Sequence, residues 1–421
     1  MGVKRRSPAI LPGRLRAAVV ALALLMPVAP ARGDELFEVF VTATDMSGTP
    51  DLLVGGSSFP DLLNDLINSQ GAFASFAGVA FSADVTFAGV ANAINVTFDP
   101  VTGNATLTFT ILGPGAQTFT FSGADLFGQI EQFLQNNLSG QLTAFLNAIN
   151  TLSLVAVTDG TPLSTTALSA DFIFNRFGLH ADLTAAEKLA AAGGREPGVR
   201  TRIDAYYEDI DTDVGSGNSY AIAPSVEFVF SETLSLAFLF PIAYHEIEGA
   251  QIVNFHANVA LPITLAAPGD GGMGFRITPF ATFAASGSVD LVAGGMIGGG
   301  GVVSTATIES GGLTVSFSNQ FSFHEGITLR YEDYKFDPGV SQQILKNGVK
   351  ISHTFGDHWY AYTTVTETMF LQPAAVDEFL STGAGFGYRG PGGVNFNFGY
   401  SGIVHNAYNS HQIRLSLQMP F

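Results

Sequence analysis

The sequence predicts an all-β transmembrane antiparallel β-barrel of about twelve strands, or fourteen, preceded by a small α+β N-terminal domain. Three observations predict it. Apolar and polar residues alternate with a two-residue period in segment after segment beyond residue 200, the pattern of strands with one apolar and one polar face. All eleven Tyr and the single Trp359 lie at or after Tyr206, while Phe is spread along the chain. Helical spacing of apolar residues is confined to the region before that boundary.

Hydrophobic residues make up 47% of the 421 and charged residues only 13%. That balance suggests a membrane protein. The apolar run Ala17–Val28 is too short to span a bilayer. Lys4, Arg5, Arg6, Arg14 and Arg16 precede it and Ala29-Pro30-Ala31 follow, so residues 1–33 read as a signal peptide. Its removal takes six basic residues and no acidic one, leaving 12 Lys and Arg against 36 Asp and Glu, a charge of −24. Such a surface repels nucleic acid and anionic headgroups, so no nucleic acid partner is expected. The chain has no cysteine, consistent with export without disulfides.

Residues 34–180 read as an exported α+β domain. In "INVTFDPVTGNATLTFTI" two alternating runs flank turn residues, a hairpin signature. A short helix near 60–68 follows Ser58. A longer one spans Leu126 to Ile149 behind the capping box Ser122/Asp125 and is interrupted at Gly140. Residues 181–199 read as a short helix and linker: Thr184 and Glu187 form a second capping box, and Gly193-Gly194 ends an Ala-rich run. Residues 200–421 are the barrel. In "VNFHANVALPITL", Val253, Phe255, Ala257 and Val259 share one face, while Asn254, His256 and Asn258 take the other. Arg202, Asp204, Glu208, Glu227, Arg276, Arg330, Glu332, Lys350 and Arg414 fall on the polar phase, as ions do in a small barrel's lumen. Turn signals mark thirteen segments, including 288–298 and 326–336. A closed bacterial barrel needs an even number: the Gly-rich 294–312 either hides another strand or forms a long loop, and the stretch 171–179 ("DFIFNRFGL") is a candidate further strand. "WYAYTTVTETMF" has no clear phase.

The chain ends on "HQIRLSLQMPF", where Ile413, Leu415, Leu417, Met419 and Phe421 share one phase. With the signal peptide, this terminal strand resembles that of Gram-negative outer-membrane β-barrel proteins, which typically end in Phe after alternating apolar residues. The resemblance implies the cell outer membrane, contact with its lipid, and recognition of the C-terminal strand by the barrel-assembly machinery. A helix just before a barrel of about twelve strands is closest in layout to the autotransporter-type translocator. There a helix lies in the pore and joins an exported passenger to the barrel.

No catalytic, cofactor-binding or metal-binding residue is assigned, and no enzyme or cofactor is expected. Asp209, Asp211 and Asp213 have calcium-loop spacing, but Gly215 falls one position late and Tyr220 stands where a bidentate Glu is needed. The eight His show no HExxH, and Ser352-His353 and Ser410-His411 are adjacent, hence on opposite sides of a strand. Three functional readings follow: a barrel that translocates and displays its N-terminal domain at the cell surface, a porin-like channel with that domain as a periplasmic or plug domain, or a structural surface protein, with a homo-oligomer left open.

Overall fold

The computed structural model describes residues 36–420 except 45–50, 70–73, 77, 116, 123–128, 130–140, 181–197, 268–271, 289, 292, 332–333, 337, 357 and 391–393. The expected signal peptide (1–33), Asp125 of the expected capping box, most of the expected helix up to Gly140, the expected short helix and linker through residue 197, and Phe421 all fall outside the described residues.

The first described region is a six-stranded antiparallel sheet in the order β2-β1-β3-β4-β5-β6. Its strands are β1 (Phe37–Ala43), β2 (Leu52–Gly56), β3 (Phe81–Phe87), β4 (Val90–Asp99), β5 (Asn104–Phe109) and β6 (Gln117–Ser122). The expected hairpin is β4–β5. Helix α1 (Phe59–Asn68) begins at Ser58, whose hydroxyl donates to Asp61 Oδ2 at 2.7 Å and accepts the Asp61 N–H at 3.2 Å. That contact satisfies one of the donors a helix start leaves open. Helix α2 (Gln141–Leu152) packs on the sheet through Phe145, stacked on Phe109 at 4.7 Å between ring centroids and edge-on to Phe87 at 5.5 Å.

The barrel has twelve long antiparallel strands. Its first half is β7 (Gly198–Thr212), β8 (Gly215–Val229), β9 (Ser235–Leu239) continued by β10 (Ile242–Ile247), β11 (Ala250–Ala260) continued by β12 (Ile263–Ala266), β13 (Met273–Ser288) and β14 (Ala293–Ser310). The second half is β15 (Leu313–Gly326), β18 (Ser341–Phe355), β19 (Trp359–Phe370), β20 (Glu378–Arg389), β21 (Asn395–His405) and β22 (Tyr408–Pro420). Two of the twelve are interrupted at Pro241 and Pro262, where the ladder lacks an N–H donor. The terminal strand β22 pairs with β7 along its length, from Tyr408↔Thr212 to Pro420↔Arg200, and closes the wall. Closure leaves no open edge, as lipid requires.

Three expectations are corrected. The Gly-rich run is not a loop: it lies within the single 18-residue strand β14, which replaces the segment at 288–298. Residues 326–336 are not wall. They form a separate two-stranded hairpin of β16 (Leu329–Tyr331) and β17 (Tyr334–Phe336), so Arg330 is not in a barrel strand. Residues 171–179 are helical, not extended: α3 (Thr165–Phe174) runs into a π-helical turn (Asn175–Leu179). The apolar and hydroxyl side chains of this helix are buried on every side, which erases the one-sided periodicity that marks surface helices.

Candidate functional site: the plugged lumen

Along each wall strand, side chains alternate outward and inward. The outward set is apolar and exposed, including Ile222, Phe228, Val253, Phe255, Val259, Phe321, Val365 and Ile413. The inward neighbours Asn254, His256, Asn258, Ser318, Gln320 and Ser322 are buried. Exposed apolar outside with buried polar inside is the reverse of a water-soluble sandwich, and only a lipid surround makes it stable. This is a membrane-spanning β-barrel. Its closed, even-stranded antiparallel wall is the outer-membrane architecture, and the outer membrane is its location.

Tyrosine divides more finely than its position in the sequence indicates. Tyr207, Tyr220, Tyr244, Tyr388 and Tyr400 point outward, with Trp359 beside Tyr388 at 5.0 Å. Tyr206, Tyr360, Tyr362 and Tyr408 point inward, where rings cover cations: Arg389 lies 4.5 Å over Tyr360 and Lys350 4.9 Å over Tyr362. These inward rings explain why β19 reads without a phase.

The lumen is occupied by α3. Ser164 caps the helix, accepting from the Ala167 N–H at 3.4 Å. Ile173, Phe174, Phe177 and Leu179 pack against the inward Ala237, Leu239, Ala260, Phe280 and Val303. Leu168 and Phe172 pack on Tyr206, Ala221, Ala223 and Ala243. At Gly348 of β18 a Cβ would come within 2.8 Å of Leu179 and 2.9 Å of Phe174, so the wall is bare where the plug presses on it. Polar contacts fix the register: Thr165 donates to Asn254 Oδ1 at 2.9 Å, Gln320 donates to the Ala170 carbonyl at 3.1 Å, and Ser169 meets Thr282 at 2.6 Å. Ion pairs complete the fit. Asp171 receives Lys346 at 2.8 Å and Arg414 at 3.3 Å, and Arg176 pairs with Glu227 at 3.0 Å. Asn175 also donates to Asp171, at 2.7 Å.

The helix sits off-centre. Between it and the β18–β22 wall lies a small cavity of about 90 Å³, in part open to solvent, lined among others by Asp171, Glu208, Lys346, Thr366, Gln412 and Arg414. At the mouth away from the strand termini the cavity meets an apolar collar. Ile210, Ile247, Ile252, Ile344, Phe370, Phe379 and Tyr408 of the wall form one continuous core with Phe37, Phe109, Phe145 and Val157 of the N-terminal sheet region. The neck between α2 and α3 is held there: the Val376 N–H donates to the Gly160 carbonyl at 3.0 Å, and Gly160 has φ +84°, the left-handed region that glycine enters freely. In this neck Asp159 accepts from Thr166 at 2.8 Å, and burial pushes its carboxyl up to about 6.

Of the sequence candidates, Asp209 and Asp211 lie in β7 and Asp213 in the turn after it, and no three acidic or His residues converge on a metal position among the described residues. Ser352 and Ser410 face inward and His353 and His411 outward. Sequence reasoning put His256 on the polar face; it missed that His245 and His324 are buried on that same lumenal face. The lumenal helix also went unseen; its one legible signal was the Ser164 cap before a run of mixed apolar residues.

No protein-family model and no curated protein matches the chain. Among solved structures, the translocator domain of the autotransporter NalP from Neisseria meningitidis is similar at 14% identity and a TM-score of 0.36, covering 58% of this chain and 99% of that one. The transport unit of the autotransporter AIDA-I from Escherichia coli matches at 10% identity and 0.36, covering 58% and 100%. An outer-membrane channel from Pseudomonas putida F1 matches at 10% identity and 0.39, covering 54% and 97%. At these scores the likenesses carry no weight for function.

Proposed function

We propose that the protein is an outer-membrane anchor that carries its own N-terminal region through the barrel lumen and displays it at the cell surface. The observation that supports this reading is the path of the chain. The sheet region packs on the mouth away from the strand termini, α3 runs down the lumen, and β7 begins at the opposite mouth. Both ends of the wall, Gly198 and Pro420, lie at that opposite mouth, here termed proximal. The longest barrel connection, 327–340, lies at the distal mouth, and long loops are the extracellular ones in such barrels. A region held beyond the distal mouth with its chain threaded through the pore is then outside. The terminal strand that closes the wall is the element for the assembly machinery to engage. The reading needs no catalysis.

The test is accessibility in intact cells. A specific protease site inserted at Val101, 92% exposed in the β4–β5 turn, is expected to be cut by added protease without permeabilising the outer membrane. Protection until permeabilisation would overturn the reading in favour of a periplasmic domain.

The polar cavity beside α3 favours a second reading, a channel for small solutes. On that reading the purified barrel conducts in planar bilayers as isolated. On the display reading, conductance rises only when Ile173 and Phe177, which wedge the helix against the wall, are replaced by Asp.

A further inference from the structure

The charges of the chain are segregated. Residues 33–175 contain thirteen Asp or Glu and no Lys, Arg or His. Beyond residue 33 the chain has only twelve basic residues, and seven of them are on the inward face of the wall: Arg200 and Arg202 of β7, Arg276 of β13, Lys346 and Lys350 of β18, Arg389 of β20 and Arg414 of β22. Four carboxylates share that face, Asp204, Glu208, Glu227 and Glu309. The wall of the lumen is therefore net positive in a chain that is otherwise strongly acidic. Five of the seven cations, Arg200, Arg202, Arg276, Lys350 and Arg389, lie in the proximal part of the strands.

We infer that this basic proximal mouth is a docking surface for the chain's own acidic, cation-free N-terminal segment as it passes outward. The inference rests on the display reading. A segment entering from the side of the strand termini meets five cations against three carboxylates, Asp204 (paired with Arg202 at 2.6 Å), Glu227 and Glu309, inside a low-dielectric wall that focuses their net positive field. A cation in the segment would be repelled there, and there is none. One carboxylate of the segment lies in the lumen of the folded protein and is held by the other two inward cations: Asp171 pairs with Lys346 and Arg414. The rest of the segment carries only charges that the wall attracts, and none that would hold it back at the mouth. The long, salt-weakened range of such forces suits transient guidance better than tight binding.

The experiment follows the appearance of the Val101 protease site at the surface of pulse-labelled intact cells. One variant neutralises the wall (Arg200→Gln, Arg276→Gln, Arg389→Gln). Another adds cations to exposed positions of the N-terminal sheet (Thr97→Lys, Thr118→Lys, Thr120→Lys). Each is expected to slow exposure by about threefold or more, with heat-modifiable barrel abundance unchanged, and raised salt is expected to shrink the gap. In the neutralised wall, the added lysines should slow exposure no further. Exposure at the parent's rate in both variants would overturn the inference. So would slowing by the wall variant alone, which would mark the cations as assembly residues, or a change confined to chloride permeation in bilayers, which would mark a small-anion site. A parent whose site never becomes accessible sinks the display reading instead, a result distinct from all of these.

Discussion

The N-terminal sheet region and the barrel are built from the same kinds of strand and solve opposite solvent problems. In the sheet region, Phe37, Phe109 and Phe145 are buried and Thr97, Thr118 and Thr120 are exposed. In the barrel, Phe238, Phe321 and Phe386 point out and Thr282, Thr305 and Thr368 point in. Alternation alone does not tell the two apart, since it records a two-faced sheet and not which face is wet. Strand length and the fate of the charges separate them. Wall strands reach 14–18 residues in β13, β14 and β15, and their basic residues turn inward. The sheet region has shorter strands and no cation.

The largest test of that contrast is in the aqueous-type core. Phe145→Ala removes a ring packed on both Phe87 and Phe109 and is expected to cost about 3–5 kcal/mol. The loss should be confined to the sheet region, read as earlier denaturant unfolding and faster proteolysis there. The barrel should keep its heat-modifiable mobility on gels. Collapse of the barrel as well would show that the apolar collar makes the two one cooperative unit.

The next test reverses neighbouring residues on the two faces of β19. Val365 points to lipid and Thr364 lines the lumenal cavity. Val365→Arg should destabilise the folded barrel by roughly 2–4 kcal/mol, and Thr364→Arg by about 1 kcal/mol or less. Denaturant titration in lipid vesicles checks it. Equal costs would mean that the faces are misassigned.

How much of this was legible in the residues follows from the same physics. The wall was readable because lipid forces every strand into one of two phases, so Val253 to Val259 and Ile413 to Met419 could be assigned by counting. The number of strands was readable. Twelve holds, and only the individual segments were misplaced where glycine hides periodicity in β14 and where 326–336 reads as a wall strand but forms a side hairpin. The plug was not readable. Phe172 and Phe174 are two apart, like a strand face, and only the wall around them makes the segment a helix. The ion pairs of Asp171 span 175 and 243 positions in sequence, distances over which no local pattern reports. The sheet region's hairpin and first helix were legible because turn and cap chemistry are local.

Where the two regions meet, pH provides a smaller effect. Asp159 is pushed to about 6 by burial, against hydrogen bonds from Thr166 and Gln342 that pull the other way. The unfolded chain releases this proton near 3.8 and the folded chain holds it to about 6, so stability falls as pH rises across that window and stays reduced above it. The interval corresponds to something on the order of 2–3 kcal/mol. Asp159→Asn, which keeps the shape and never ionises, should therefore stabilise the neck at pH 7.5 and have almost no effect at pH 4. Thermal unfolding of the detergent-folded protein at both values checks it. A variant that destabilises equally at the two would show that the carboxylate is held ionised by its donors.

The smallest effect has the opposite sign and lies at the far end of the sheet region. Asp99 closes the β4–β5 turn: its carboxylate accepts from Thr102 Oγ1 at 2.8 Å and from the Val101 N–H at 2.9 Å. The Thr102 hydroxyl first, and then the Val101 amide, hold this carboxyl below its ordinary value of 3.8. Both donors favour the ionised form, so the turn is firmest above pH 3.8 and loosens as pH falls through the lowered value. The site is fully solvated, and the effect is local. Asp99→Ala is expected to speed amide exchange at residues 99–104, corrected for the intrinsic rate, while α2 and the barrel keep the parent's protection. Near pH 3 the parent should move toward the variant in that turn alone. The same residue type then reports the two environments: in the neck, acid tightens the structure, and in the exposed turn it loosens it. A turn that exchanges identically in parent and variant at neutral pH would mean that Gly103, at φ +68°, sets the hairpin without help from the side chain.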